Sequence, residues 1–360
     1  MSTKLRSSLA IVSTIGLIAT LTGCHTPTTK TSAVTPCMDV LPLFTAVNVP
    51  AFGPSEIPCS ENYTNGITRS ALPGKGLAQH PMLYVGENCN KMFLVQDGKV
   101  IWTYSTGAGP EFDDVWMLSN GNILFSRMAY IAEITPDKKV VWRYDCHVPQ
   151  DAEHTEIHAC QPIGLDKVMF VENGLPPKLK VANIRTGAVE VEHELPFEEA
   201  RGVHGQFRRA RVTAQGTYLL AFLGMDYVAE YDAKFKEIWK YKINRPWAAL
   251  RLQNGNTLIT DERDSLTWEV NARGETVWEF NCKTDLPPEY QFGSAPQSCT
   301  RLANGNTIFT SRGKGPQLVE VTPDKKVVWV LQDWKEIGDG TAVQILDDPG
   351  IPEVPGQSEH

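Results

Sequence analysis

An internal repeat constrains this chain more than any other feature. The octapeptide LSNGNILF at 118–125 recurs as LQNGNTLI at 252–259 and LANGNTIF at 302–309. Each copy leads to a tryptophan (Trp142, Trp278, Trp329) 22 to 25 residues after its first Asn, and TPDKKVVW at 135–142 returns letter for letter at 322–329. Asn-Gly between apolar runs signals a tight hairpin, read here as a type I′ turn with positive φ at both central residues. A second turn and a Val/Trp-rich strand follow, so each unit predicts four antiparallel strands, A to D. Weaker copies begin at Ile163 and Thr213, and an incomplete one at Met82–Trp102 lacks strand A. Residues 340–346 match that missing strand. The expectation is all-β: a six-bladed β-propeller of four-stranded antiparallel blades, closed by a C-terminal strand completing the first blade.

The N-terminus is organised differently. Lys4 and Arg6 precede an apolar run from Leu9 to Leu21, which ends in Leu21-Thr-Gly-Cys24. This pattern reads as a secretory signal peptide closing on a lipobox. It resembles bacterial lipoprotein signals, which implies lipidation (diacylation, as with palmitate) of Cys24 and a membrane anchor. His25 follows with no acidic run behind it, and a periplasm-facing lipoprotein of the cell envelope is expected. The expected divisions are a signal at 1–23, a tether and irregular cap at 24–75, the propeller at 76–350 and a tail at 351–360.

The formal charge of −8 becomes −10 once Lys4 and Arg6 leave, and no block of basic residues exists, so nucleic acid is a poor partner. Eight cysteines in an exported chain suggest disulfides. Local spacing proposes Cys37–Cys59, Cys146–Cys160 and Cys282–Cys299, leaving Cys89 alone beside the lipidated Cys24. No Cys/His cluster has zinc spacing, and neither a metal nor a cofactor is expected.

The Asn-Gly-Asn units with a later Val-Val-Trp resemble the repeats of arylsulfotransferase-type and pyrroloquinoline-quinone-like bacterial propellers. The segments TEIHACQPIG at 155–164 and VHGQFR at 203–208 extend the likeness to a group of secreted propellers without assignable chemistry. The similarity covers roughly residues 72–350. It implies the fold and sulfuryl transfer through a channel histidine, from which this chain departs: no A-strand position three or five residues before the turn is a histidine.

In a propeller the A strands line the axis, and the D–A and B–C connections share one face. Three residues back from the A–B turn, strict alternation gives Gln344, Met117, Gln161, Arg211, Arg251 and Arg301, a polar ring able to hold an anion. Asp113, Asp114, Asp261 and Glu262 are available to neutralise it. Toward the loop face come Trp247 and Gln297, with Trp247 able to stack on a sugar. His154, His158 and His204 enter the same mouth beside Glu156, Gln206, Arg208 and Arg209, giving His204 or His158 as base or nucleophile. A metal triad of the three histidines is the weaker alternative.

These residues predict a membrane-tethered propeller binding an anionic small molecule or glycan in its Arg/Gln-lined channel. Ligand-binding residues are Arg211, Arg251, Arg301, Gln161, Gln344, Trp247, Gln297 and Arg208. One alternative is an enzyme at the channel mouth, working by sulfuryl transfer or acidic-sugar cleavage. Another is an envelope scaffold for a protein partner.

Overall fold

The computed structural model describes residues 72–107, 111–146, 154–313, 315–358 and 360. The signal segment, Cys24, Cys37 and Cys59 lie outside them. Among the described residues, twenty-four strands run from β1 (Met82–Gly86) to β24 (Gly340–Ile345). They form six four-stranded antiparallel sheets, and β24 pairs with β1 to complete the first blade. The innermost strands are β24, β4 (Phe112–Met117), β8 (Glu156–Ile163), β12 (Phe207–Val212), β16 (Pro246–Arg251) and β20 (Pro296–Arg301). Each touches the next, and β20 touches β24, closing a six-bladed propeller.

Each of the six seams between blades carries its own hydrophobic cluster. Burial of these apolar faces, which a lone blade would expose, is what drives stacking into a ring. The repeat's letters explain how neighbouring blades are locked. Trp102 and Trp278 donate their indole N–H to the carbonyls of Pro136 and Pro323, in the Thr-Pro-Asp turn of the following blade, both at 2.9 Å. Trp329 makes the equivalent bond to Gly76 at 3.0 Å.

The hairpins correct one expectation. Gly121, Gly255 and Gly305 take φ of +85°, +85° and +89°, while the asparagines before them stay at negative φ. Each glycine N–H donates to the leucine carbonyl three residues back at 2.9 Å. This is a type I turn followed by a left-handed glycine, the three-residue hairpin, and not type I′. The second Asn serves the tertiary structure instead: Asn122, Asn256 and Asn306 donate to Glu133, Glu269 and Glu320 of the third strand.

The cysteine pairing is also corrected. Cys146, Cys160, Cys282 and Cys299 are free thiols, whereas Cys89 is disulfide-bonded. Spacing in sequence says nothing about whether two Cβ vectors point together. The Cys146 thiol donates to the Met128 carbonyl at 3.1 Å, and burial pushes the Cys146 and Cys299 thiols up to about 12.

Candidate functional site

All six innermost strands carry a β-bulge against their neighbour. A bulge inserts one residue, bends the strand and re-aims a side chain. Residues at these bulges (Asp113, His158, Arg208 and Arg209, Trp247, Gln297, Thr341) line one small cavity on the axis. Its volume is about 10 Å³, room for a single water. The axis is therefore shut to a ligand, and the functional groups gather above it at the mouth formed by the loops.

Below that cavity the channel is filled. Asp114 is fully buried and accepts from Arg209 at 2.8 Å and from Arg211 at 3.0 Å. Burial works against its charge, but the two guanidiniums prevail and hold its carboxyl below the usual range. Both arginines also donate to the His360 main-chain oxygen. The His360 ring lies on Trp116, with centroids 4.2 Å apart, and its Nε2–H donates to the Val115 carbonyl at 2.8 Å. Burial and the two arginines push this imidazole down to about 3, so it is neutral. The segment before His360 crosses the A–B turns: Asp348 accepts from the Ala303 N–H and Glu353 from the Ser119 N–H.

The predicted polar ring mixes two faces. Arg251 and Arg301 pair with Thr257 and Thr307, the last ladder positions before their hairpins. Seven residues separate Arg211 from its partner Leu219 and Gln161 from Met169, against five for Arg251 and Arg301, which sets them one position farther from the turn. Gln344 pairs with Leu83, one position from the end of the ladder between β24 and β1. A one-residue offset reverses the face in a structure of period two. Arg251 accordingly leaves the axis to pair with Glu230 of the preceding blade, lying over Trp239, and Arg301 pairs with Glu269 over Trp278. His80 makes the same contact to Glu320 at the seam that closes the ring. Gln344 and Gln161 grip the backbone of Met117 and Val212 on the next blade. Of the five, only Arg211 reaches the axis, where Asp114 neutralises it. The 270 Å³ pocket beside Arg251 and Arg301 lies at the A–B turns, not at the mouth.

The mouth assembles what sequence reasoning placed there and adds groups it did not. His158 and Glu156 come from β8, His204 from the entry to β12 and Arg208 from β12 itself, Glu111 from the entry to β4 and Asp113 from β4, and Arg312 from the sixth blade. Glu156 is the hub. Its Oε2 lies 3.0 Å from His158 Nε2 and 2.9 Å from His204 Nδ1, and its Oε1 lies 2.7 Å from His154 Nε2. Burial alone would raise its pKa; hydrogen bonds from His158 and His204 instead hold it far below the usual carboxylate range. The second nitrogens of two imidazoles therefore point away from Glu156, toward other carboxylates. His158 Nδ1 is 2.9 Å from Asp113 and 3.5 Å from Glu111, and His204 Nε2 is 3.8 Å from Glu111. Burial and Arg208 oppose a charged His158, but its carboxylate neighbours outweigh them and its pKa is raised. The His158 side chain is 2% exposed and that of His204 50%.

Cations frame this acidic centre. Arg208 donates to the His204 carbonyl, lies 3.1 Å from His158 Nε2 and covers Trp247. Trp247 is 9% exposed, so it packs beneath Arg208 and offers no open face to a sugar. Gln297 has a buried amide oxygen without a partner among the described residues. Arg312 pairs with Glu87 at 2.7 Å and approaches Glu111 at 3.5 Å, and it remains 36% exposed. Burial, followed by Asp113, pushes the Glu87 carboxyl up to about 9, so it carries a proton at neutral pH. Glu111 and Glu87 were missed by sequence reasoning. The available signal was positional, since both lie in the D–A or B–C connections of the face that bears the histidines.

The fold and this mouth define a six-bladed propeller with an acidic, histidine-containing centre on its loop face. A protein of unknown function from Bacteroides caccae superposes with a TM-score of 0.63 at 23% identity, over 74% of this chain and 98% of that one. Streptogramin B lyase gives 0.54 at 13%, over 81% and 93%. Catalytically inactive virginiamycin B lyase from Staphylococcus aureus with quinupristin gives 0.51 at 14%, over 77% and 87%. At such identities the likeness is one of fold. No protein-family model and no curated protein matches the sequence.

Proposed function

We propose that this chain is a membrane-tethered envelope propeller, anchored through Cys24, that takes an anionic small molecule or glycan at its loop-face mouth and acts on it by acid–base chemistry. The observation that carries this reading is the double contact of Glu156 Oε2 with His158 and His204. A buried carboxylate that holds Nδ1 of an imidazole fixes its tautomer and leaves Nε2 as the acceptor, the arrangement of a positioned general base. His204, half exposed, presents that nitrogen to whatever sits on the mouth. Arg312 is the accessible cation beside it, matched in geometry to a carboxylate or sulfate. A proton next to a carboxylate, as in a uronic acid, fits both groups at once. The axis holds no more than a water, so the ligand rests on the rim.

Thermal unfolding tests this with uronic-acid oligosaccharides, aryl sulfates, organic acids and neutral sugars. A ligand that prefers the native state raises the transition temperature by mass action. A rise with anionic ligands only, lost in Arg312→Ala and kept in Arg301→Ala, is expected. Equal shifts with neutral sugars, or a shift that survives Arg312→Ala, would sink the reading.

A further inference from the structure

Glu111, His158 and His204 come from three different blades, yet one donor atom from each lies within 4.8 Å of the other two. We propose that this cluster binds one divalent transition-metal ion of the Zn²⁺ type, through His158 Nδ1, His204 Nε2 and the Glu111 carboxylate, with the fourth position open. The proposal rests on the reading of the mouth as the working site and deepens it: with the ion bound, the His204 Nε2 lone pair is a ligand, and a water in the ion's open position takes the place of His204 as the base.

Three independent features of the cluster support it. The first is spacing. Metal–ligand bonds of about 2.0–2.1 Å in a tetrahedral site put neighbouring donor atoms roughly 3.4 Å apart. Glu111 Oε2 lies 3.5 Å from His158 Nδ1 and its Oε1 3.8 Å from His204 Nε2, and one donor atom from each residue falls within 4.8 Å of the other two, so the three draw in toward that spacing on binding.

The second is orientation. A histidine that ligates a metal almost always gives its other ring N–H to a carboxylate or carbonyl, which fixes the tautomer and aims the ligating nitrogen. Here one buried carboxylate oxygen, Glu156 Oε2, does so for both histidines. A surface histidine that only happens to meet an acid would have no reason to share that acid with a second, buried histidine whose other nitrogen, beside Asp113, also approaches the same third residue. His154 differs: it meets Glu156 through the other oxygen, Oε1, and falls outside the donor set. The triad of three histidines weighed from sequence is thereby replaced by two histidines and Glu111.

The third is charge and access. Glu111, Asp113, Asp339 and Glu156 converge on the mouth. A dication offsets these carboxylates. Imidazole nitrogens with a carboxylate suit Zn²⁺, Fe²⁺ or Mn²⁺, whereas Mg²⁺ and Ca²⁺ favour all-oxygen sets. His204 is 50% exposed, so the open side of the ion faces solvent, where an anionic ligand would complete the shell.

The test is metal analysis of the full protein after chelator stripping, followed by titration with Zn²⁺, Mn²⁺ and Mg²⁺ separately against a competing chromophoric chelator. One equivalent of Zn²⁺, bound at least tenfold more tightly than Mg²⁺, is expected. Glu111→Ala and His204→Ala, both at accessible positions, should each weaken Zn²⁺ by two orders of magnitude or more. Glu156→Gln should weaken it by about 10- to 100-fold. His193→Ala, on an outer strand, controls for adventitious surface binding and should change nothing. Substoichiometric Zn²⁺, or equal losses in His193→Ala and His204→Ala, would overturn the proposal. Failure here separates cleanly from failure of the acid–base reading. Anionic ligands that shift stability in excess chelator leave that reading standing without a metal; stoichiometric Zn²⁺ with no ligand shift leaves the centre standing without it.

Discussion

The two ends of the channel use the same residue types for opposite purposes. At the A–B end, Arg209, Arg211, Asp114 and His360 satisfy one another in full burial: two cations, one anion and a neutral imidazole whose main-chain oxygen completes the arginines. At the loop-face mouth, Glu156, His158, His204, Glu111 and Arg312 also touch one another, but His204 and Arg312 stay open to solvent. A closed network of charges stabilises only itself. One that stays open to solvent retains capacity for a further ion or ligand. Content of arginine or histidine along the axis therefore does not locate a site; what matters is whether the partners are already inside the protein.

Breaking each end should give different phenotypes. The largest effect on stability is expected for Asp114→Asn, which leaves two buried guanidiniums without a counter-charge. A loss of about 3–5 kcal/mol, read from the denaturant midpoint, follows if the A–B end is a structural plug. Retention of wild-type stability would refute that description. Next comes Arg301→Ala, which removes a charged hydrogen bond between blades five and six while Asn254 and Asn256 still serve Glu269. It should cost about 2 kcal/mol and leave the response to anionic ligands unchanged; a lost ligand response would return Arg301 to a binding role.

A smaller, pH-dependent effect is expected at His80, which joins Glu320 at 3.1 Å and Asp347 at 3.0 Å on the same end. Burial opposes its charge, but hydrogen bonds to Asp347 and Glu320 raise its pKa from 6.5 to about 9. A pKa raised on folding contributes stability in full below the unfolded value, and that stability is lost as pH rises through the folded value. Between pH 6.5 and 9, wild type should thus lose about 1 kcal/mol more than His80→Gln, a figure discounted because Asp347 is 37% exposed. Identical pH profiles for the two proteins would show that the imidazolium contributes nothing at that seam.

The smallest stability change, under about 1 kcal/mol, is expected for Arg312→Ala at the mouth, because its guanidinium is partly solvated. Its effect should appear in ligand response instead. A large drop in melting temperature with no functional change would place the mouth in the same structural class as the other end.

Much of the fold was legible because it is written locally. Asn-Gly-Asn units and the repeated Thr-Pro-Asp-Lys-Lys turns marked both hairpins of a blade, and the incomplete first copy with an extra strand at 340–346 implied ring closure. His158, His204 and Arg208 were placed at the mouth because a D–A connection can only lie on that face. The channel ring failed for a local reason too. The turn beginning at Thr213 is not built on Asn-Gly-Asn, and counting back from it landed one residue off, on the opposite face of the strand from Arg251 and Arg301. The bulges added a second error that alternation cannot represent, since each places an extra residue at the axis.

The sequence by itself determined the blade, the number of blades and the face on which loops gather, because turn chemistry and period-two patterning act over a few residues. Only the tertiary structure decided which charges would be satisfied internally. Glu111, Glu156 and His204 are separated by 45 and 48 residues, and Arg211 from His360 by 149. Whether such groups meet depends on blade packing, six bulges and the path of the last segment, and electrostatic pairing across those distances leaves no periodic trace in the chain.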